Sequence, residues 1–287
     1  MTLDLDPARP AVPPRHASTL VVVREVPAQR AGGLEVFCVE RQKVGFLGGA
    51  VVFPGGKLDP GDLDAGWATV TNEPRATPAS WAPDEATHRG LAIAACREAL
   101  EEAAILPVVG AAPAHADLVA WRKSLDGETT LRALLASKGL TLDLQALRPF
   151  ARWITPEAES RRYDTRFFLF LADRALTGAH DDHETTASFW APPAEVLRRF
   201  DAGELQLAPP THRTLELLAS ARTTGDAVAL ADAACLDPIC PRLVVADGTA
   251  ALVLPGDPAH DVKDARVAGK SRFVLRGDRF VPEDAPA

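Results

Sequence analysis

Cysteine is scarce in this chain, and the four that occur are widely spaced. Cys38 and Cys96 lie in apolar stretches, and Cys235 and Cys240 form a lone pair, so neither a disulfide framework nor a four-ligand zinc site is indicated. Long apolar runs are lacking as well: none approaches the ~18 residues that cross a membrane, and the N-terminus shows no signal-peptide pattern. We therefore expect a cytoplasmic protein without a membrane partner.

A surplus of positive charge is also absent. Lysine and arginine number 31 against 39 acidic residues, which gives a net charge of −8. A broad nucleic-acid-binding face is therefore not expected, and a phosphate-bearing ligand would need local arginines or a bound cation. Apolar residues make up 47% of the 287 positions, which is typical of a chain that buries a large core.

Strand and helix patterns alternate along the chain without strict βαβ order. Residues 18–23 and 34–39 predict a hairpin, and a glycine-rich stretch surrounds a short apolar strand at 50–53. The strongest helical pattern runs from a capping aspartate at 84 to 106. Together these patterns predict an α/β sandwich on a mixed sheet. The expected organisation is a flexible lead-in at 1–17, a main domain at 18–222, and a β-rich C-terminal extension at 223–287 without an assigned role.

The long helix carries an acidic face. Glu98, Glu101 and Glu102 stand at i, i+3 and i+4, so their carboxylates project from one side and repel one another. Apolar residues cover most of the remaining helix surface, which favours a helix buried by its neighbours with the acids lining a groove. Hard oxygen ligands on such a scaffold suit Mg²⁺ or Mn²⁺. The alternative is a solvated acidic face without a ligand.

Upstream glycines and an acid complete a wider pattern. Gly56 is followed six residues later by Asp62, and then by Arg97-Glu98-Ala99-Leu100-Glu101-Glu102. This arrangement resembles the signature of the Nudix hydrolases, and it implies a Nudix-type α/β/α sandwich. Asp62 replaces the usual glutamate, and Ala104 stands where a glycine normally follows. The spacer before Arg97 is longer than usual, which indicates an insertion at about 63–90.

An insertion at this point is similar to the Nudix branch that includes the peroxisomal coenzyme A diphosphatase. Residues 39–56 precede it with an arginine, a glycine-rich stretch and Phe-Pro-Gly-Gly, and the later segments 164–168 and 190–193 also look like that branch. The resemblance covers about residues 18–222. Its split signature is specific for Nudix membership, whereas the coenzyme A motif fits loosely.

The resemblance implies a role for each matching residue. Glu98, Glu101 and Glu102 would hold Mg²⁺ or Mn²⁺, with Glu101 and Glu102 also counted as catalytic. Glu184, in the polar loop 181–184, is the candidate general base or extra ligand, and its alternative is a solvated turn acid. Arg97 is expected to point off the acidic face and to brace the loop through an ion pair. Gly55, Gly56 and Asp62 would shape that loop.

Phosphate groups beyond the metal need cations. Arginine suits them because its planar fork matches phosphate oxygens. The candidates flank the matching segments: Arg41, Lys43, Arg161, Arg162 and Arg166. Two aromatic residues of the insertion, Trp67 and Trp81, either stack on a base or anchor the insertion to the body of the protein.

Three functions remain open at this point. The first is a metal-dependent diphosphatase for coenzyme A or acyl-coenzyme A. The second is a diphosphatase for ADP-ribose, a dinucleotide or a nucleotide sugar, because the signature does not specify the substrate pocket. The third is a non-catalytic Nudix-fold binding module, which Asp62 and Ala104 make conceivable. A small-molecule diphosphate is the expected ligand, and a homodimer is compatible with the sequence.

Overall fold

The computed structural model describes residues 4–6, 8–26, 33–42, 48–125, 129–181, 185–246 and 248–286. The strands are β1 (Arg15–Val26), β2 (Gly33–Arg41), β3 (Ala50–Val52), β4 (Gly55–Lys57), β5 (Arg148–Ile154), β6 (Tyr163–Leu171), β7 (Thr185–Ala191), β8 (Gln206–Leu207), β9 (Arg242–Ala246), β10 (Thr249–Val253), β11 (Arg272–Arg276) and β12 (Arg279–Glu283). The α-helices are α1 (Glu85–Ala103), α2 (His115–Leu125), α3 (Leu131–Lys138), α4 (Pro193–Asp201), α5 (Pro209–Ala219) and α6 (Thr224–Asp232). Short 3₁₀ turns in the described ranges span Pro60–Leu63, Ala65–Thr69 and Leu144–Ala146.

The main sheet has eight strands and is mixed. Its central path runs β5-β6-β1-β2-β3-β8, while β4 pairs with β1 and β7 pairs with β2. The β1–β6 and β3–β8 pairs are parallel and the other pairs are antiparallel. The predicted hairpin is confirmed as the antiparallel β1–β2 pair. Apolar clusters cover both faces of this sheet.

Strand β1 shows how the two faces are covered. Leu20 and Val22 point into one apolar cluster, and the alternating Val21 and Val23 point into the other. The first cluster contains α1, α2 and α3, and the second contains α4, α5, α6 and the C-terminal strands. The predicted α/β sandwich on a mixed sheet is therefore confirmed.

The C-terminal extension begins with helix α6 and continues as a second sheet. This sheet is an antiparallel meander in the order β12-β11-β10-β9, which confirms the predicted β-rich character of the extension. Phe273 and Phe280 pack into the second apolar cluster of the main sheet. The extension is therefore continuous with the core of the preceding domain. Among the helices in the described ranges, none combines the length and apolar character that a membrane span requires.

Helix α1 is the central element for the site. Its N-terminus is capped by Asp84, whose side chain accepts a hydrogen bond of 2.7 Å from the Thr87 N–H, as predicted. Its C-terminus lies three residues before the predicted end, because Ala104 adopts a left-handed conformation with φ 50°. Ala104 is the one non-glycine residue in the described part of the chain with positive φ. The missing glycine of the sequence pattern is thus a strained position.

Replacing Ala104 by glycine is expected to raise the free energy of unfolding by about 0.5–1 kcal/mol, because glycine adopts this conformation without steric cost. Urea denaturation measures the change. Ala120→Gly is the matched control, since Ala120 is exposed in the middle of α2. The same chemical change there should destabilise the protein by up to about 1 kcal/mol. A loss of stability in Ala104→Gly would contradict the strain argument.

The insertion is anchored to the body by its aromatic residues. The Trp67 indole donates a hydrogen bond of 2.8 Å to the Gly61 carbonyl, and Trp67 is buried. Trp81 is fully buried and meets Phe168 edge-on at 5.6 Å. Of the two interpretations of these tryptophans, the anchoring one fits the structure. The end of the predicted insertion, residues 85–90, forms the first turns of α1.

Candidate active site

The acidic face of α1 meets strand β4 from the main sheet. Glu102 is 4% exposed, and its carboxylate accepts a hydrogen bond of 2.9 Å from the Gly55 N–H. The Glu101 side chain is the most open of the three glutamates, at 38% exposed. Burial raises the pKa of Glu101, although the neighbouring Arg97 lowers it. The predicted acidic residues therefore do share one face, at a groove edge rather than in bulk solvent.

Two glycines let the backbone pass close to this face. A Cβ atom on Gly56 would lie 2.4 Å from the Glu98 carboxylate, so only glycine leaves room for that side chain. A Cβ atom on Gly55 would lie 2.4 Å from the Ser18 carbonyl oxygen on the neighbouring strand. The predicted structural role of both glycines thus has a direct steric reason. Gly55 allows the pairing of β4 with β1, and Gly56 leaves space for the Glu98 side chain.

Arg97 joins the two halves of the acidic pattern. Its guanidinium forms two hydrogen bonds with Asp62, at 3.1 and 3.0 Å, and another to the Lys57 carbonyl at 2.9 Å. It also contacts Glu98 at 2.8 Å and Glu101 at 3.0 Å. The expected ion pair with the loop is present. The expectation that Arg97 points off the acidic face is wrong, because the side chain lies across it.

These contacts also fix the charge of Arg97. Burial lowers its pKa, but the Asp62 hydrogen bond and the charges of Glu98, Asp62 and Glu101 outweigh burial and raise it. Asp62 itself is 3% exposed and accepts a further hydrogen bond of 2.9 Å from the Asp59 N–H. The shorter acid at position 62 is therefore a fixed partner of Arg97.

Arg41 ends strand β2 and lies beside the acidic face. One of its guanidinium nitrogens is 3.7 Å from a Glu102 carboxylate oxygen. Arg41 also lines a cavity of about 310 Å³ together with Gly55, Gly56 and Glu98. The structure thus brings this predicted phosphate-binding residue to the glutamates.

The rest of that cavity is mostly apolar. Its walls include Trp153 and Phe167 from the main sheet, Pro209 at the start of α5, and Pro241 and Leu252 from the C-terminal extension. These residues come from distant parts of the chain, and no sequence pattern pointed to them. The cavity therefore combines a charged end at β4 and α1 with a long apolar wall.

Arg166 does not reach this cavity. The residue is fully buried, donates to the Trp81 carbonyl at 2.9 and 2.6 Å, and pairs with Asp164 at 2.7 Å. Burial lowers the pKa of Arg166 to about 10 even beside Asp164. The expectation that Arg166 binds substrate is therefore corrected: it fastens the end of the insertion to strand β6.

Replacing Arg166 by methionine is expected to lower the free energy of unfolding by about 3–5 kcal/mol, because Asp164 and the Trp81 carbonyl lose a buried partner. Burial raises the pKa of Asp164, but hydrogen bonds and charges from Arg152 and Arg166 outweigh it and lower the pKa below 3.8. The stabilisation that ionised Asp164 contributes is complete above its pKa in the unfolded state. It is lost as the pH falls through its pKa in the folded state. The free energy of unfolding, measured by urea denaturation, should therefore fall less between neutral pH and about pH 3 in Arg166→Met than in the wild type.

Arg198→Met provides the control for that variant. Arg198 pairs with Glu195 on the exposed surface of α4, where solvent screens the interaction. This variant should unfold almost as the wild type does. Equal stability of Arg166→Met and the wild type at neutral pH would contradict the anchoring role.

Arg162 lies outside the main cavity as well. It is 8% exposed, and its guanidinium donates to the Val12 carbonyl at 2.7 Å and to the Thr155 carbonyl at 3.0 Å. It does line a second cavity next to the first. Arg162 therefore lies outside the glutamate cavity, and its contact with substrate stays a prediction. Lys43 and Glu184 lie outside the described residues.

The side chains around the glutamate cluster decide whether it fits a divalent cation. Within the described ranges, no group of three or more His, Cys, Asp and Glu side chains is arranged as a metal site. Here Arg97 contacts Glu98 and Glu101, while Glu102 bonds to Gly55. The donors are nevertheless carboxylates on one rigid helix, and the space that Gly56 leaves at Glu98 is a cradle that a Cβ would fill. Such oxygen donors fit a hard cation.

Comparisons with known proteins identify a matching family and similar sequences. Residues 79–218 match the family described as the NUDT19 Nudix domain. The chain is 28% identical to the acyl-coenzyme A diphosphatase NUDT19 of Gallus gallus, over 94% of this chain and 85% of that protein. It is 30% identical to the Homo sapiens protein of the same name, over 77% of this chain and 65% of that protein.

A solved structure is also similar. The NUDIX hydrolase from Alicyclobacillus acidocaldarius is 32% identical to this chain, with a TM-score of 0.62. The similarity covers 76% of this chain and 96% of that one. Both the sequence and the arrangement of the sandwich are therefore shared with a protein of that description.

Proposed function

Because this chain belongs to the Nudix hydrolase family, we propose that it cleaves the diphosphate linkage of coenzyme A or acyl-coenzyme A. Two of its relatives carry the name acyl-coenzyme A diphosphatase. The structural observation that carries the proposal is the cavity of about 310 Å³, where Glu98 and Arg41 stand at one end of a mostly apolar wall. A substrate with a charged diphosphate and a long, less polar arm matches both parts.

The glutamates would hold the metal. Glu98, Glu101 and Glu102 supply the carboxylates for Mg²⁺ or Mn²⁺, and Arg97 keeps Glu98 and Glu101 in place through its hydrogen bonds. When bound, such an ion neutralises a diphosphate and acidifies a water molecule. Glu101 is suited to accept a proton because burial raises its pKa. Glu184 remains the predicted alternative base.

Other residues would bind and position the substrate. Arg41 lies 3.7 Å from Glu102 at the charged end, and its guanidinium would bind a phosphate oxygen. Gly55 and Gly56 bring the backbone of β4 into direct contact with Glu102 and Glu98, so substrate would bind beside this contact, in the cavity that both glycines line. Arg97 and Asp62 act as positioning residues, since each contacts the other rather than the cavity.

The C-terminal extension would complete the apolar wall. Pro241 and Leu252 line the cavity beside Trp153 and Phe167 of the main sheet. We therefore assign residues 223–287 a part in holding the non-nucleotide arm of the substrate. The cytoplasmic location and the homodimer stay predictions from the sequence.

A panel of diphosphates tests the proposed function. The purified chain is incubated with Mg²⁺ or Mn²⁺ and with coenzyme A, acyl-coenzyme A thioesters, ADP-ribose, a dinucleotide and a nucleotide sugar, and the products are separated by chromatography. The expected products from coenzyme A are 3′,5′-ADP and 4′-phosphopantetheine. Chelation of the metal should abolish turnover, since the carboxylates alone repel a diphosphate.

Other outcomes of the panel identify the alternatives. Faster release of AMP from ADP-ribose or from the dinucleotide would replace the proposed substrate class. Absence of turnover with every diphosphate would favour the non-catalytic binding module.

A further inference from the structure

A second cavity lies next to the first and is lined by positive charge. Its volume is about 490 Å³, and its walls include four cations: Arg15, Lys57, Arg161 and Arg162. None of the described residues that line it is acidic. Lys57 and Tyr163 line both cavities, so the second cavity adjoins the glutamate site at strand β4. Such a concentration of cations is unexpected in a chain of net charge −8.

Arg162 is the one buried cation among these four. The described part of the chain contains three buried arginines, Arg162, Arg166 and Arg213. Arg166 pairs with Asp164, and Arg213 pairs with Glu216. For Arg162, the structure gives two backbone carbonyls and a cysteine sulfur as partners, with no carboxylate within 4.0 Å among the described residues. A buried charge without a counter-ion is costly unless a ligand supplies one.

The remaining three cations are also without acidic partners. Arg15, Lys57 and Arg161 are exposed, and no described carboxylate forms an ion pair with any of them. These three side chains therefore do not neutralise any described acidic residue of the protein. An anion that enters this cavity would meet four positive groups and the backbone of β4 beside the active site.

We propose that this cavity binds a phosphomonoester of the substrate, separate from the diphosphate that is cut. The inference rests on the proposed function and makes its substrate class more specific: a nucleoside diphosphate compound that also carries a phosphate on its ribose. Coenzyme A has such a 3′-phosphate, whereas dephospho-coenzyme A and ADP-ribose have none. The cavity thus selects coenzyme A over otherwise similar diphosphates.

Charge reversal tests the cavity without touching buried residues. The Arg15→Glu, Arg161→Glu double variant is assayed with coenzyme A and with 3′-dephospho-coenzyme A. The ratio of kcat/KM for the two substrates should fall by about 10- to 100-fold, the range for losing charge-assisted hydrogen bonds. The matched control is Lys123→Glu, Arg222→Glu, which changes the net charge equally at exposed positions outside both cavities. The control should keep the wild-type ratio.

Binding measurements separate this inference from the proposed function. Calorimetric titration of the wild type and both variants with 3′,5′-ADP and with 5′-AMP requires no turnover. The wild type should prefer 3′,5′-ADP by about 10-fold or more, and the Arg15→Glu, Arg161→Glu variant should lose that preference. Equal binding of the two nucleotides by the wild type would overturn the cavity assignment even if coenzyme A is hydrolysed. A preserved preference in the folded variant, checked by circular dichroism, would overturn it as well.

Discussion

Glu102→Gln is expected to lower kcat by about 100-fold or more, because it removes the buried charge that would hold the metal. Glutamine has the same length, and its amide oxygen still accepts the hydrogen bond from the Gly55 N–H. The fold should therefore be kept, and urea denaturation should show this. Steady-state rates over a range of Mg²⁺ and Mn²⁺ concentrations measure the loss, with a higher metal requirement in the variant.

Glu85→Gln is the control for this change. Glu85 lies in the first turn of the same helix and is exposed, remote from the cavity lining. It should keep kcat within about 2-fold, since exposed charges act weakly at a distance. Unchanged turnover in Glu102→Gln would refute the assignment of the acidic face as a metal site.

Gly56→Ala is expected to lower kcat/KM by about 100-fold, because the added Cβ would displace the Glu98 carboxylate that lies 2.4 Å away. The displaced atoms are the end of a flexible side chain, so the free energy of unfolding should change little. Gly56 does not have a positive φ, and alanine adopts its conformation without strain. A loss of activity with preserved stability is thus the specific signature of crowding at Glu98.

Two neighbouring glycines make this prediction sharper. Gly61→Ala adds the same methyl group where no atom lies within 4 Å, and it should affect neither activity nor stability. Gly55→Ala places Cβ 2.4 Å from the Ser18 backbone oxygen, and it should cost about 1–3 kcal/mol of stability. If Gly56→Ala is fully active, Glu98 has no part in the reaction.

The sequence predicted the acidic helix because its information is local. Asp84 caps the helix and the glutamates follow at helical spacing, so one face is determined by short-range geometry. Strand β4 was not predicted, since Gly55–Lys57 has no apolar alternation and pairs with β1 through its backbone. The close approach of β4 to α1 became visible only in three dimensions.

The positions of the arginines could not be predicted from local sequence. Arg41, Arg162 and Arg166 all flank the matching segments, yet the structure brings only Arg41 to the glutamate cavity. Arg166 is buried because the insertion returns Trp81 to strand β6, a contact between residues 85 positions apart. Strand alternation alone does not reveal which face a distant loop covers. For the same reason, the apolar wall from Trp153 to Leu252 had no sequence signal.

The Arg97–Asp62 pair has a consequence for how this chain could diversify. It clamps the base of the insertion, and Arg166 holds the far end at Trp81. Because Trp67 between these two attachment points is itself buried, changes within the insertion are expected to be tolerated only at exposed positions such as Ala68 and Thr69. Substitutions at those exposed positions should therefore leave Arg97 in its position between Asp62 and Glu101.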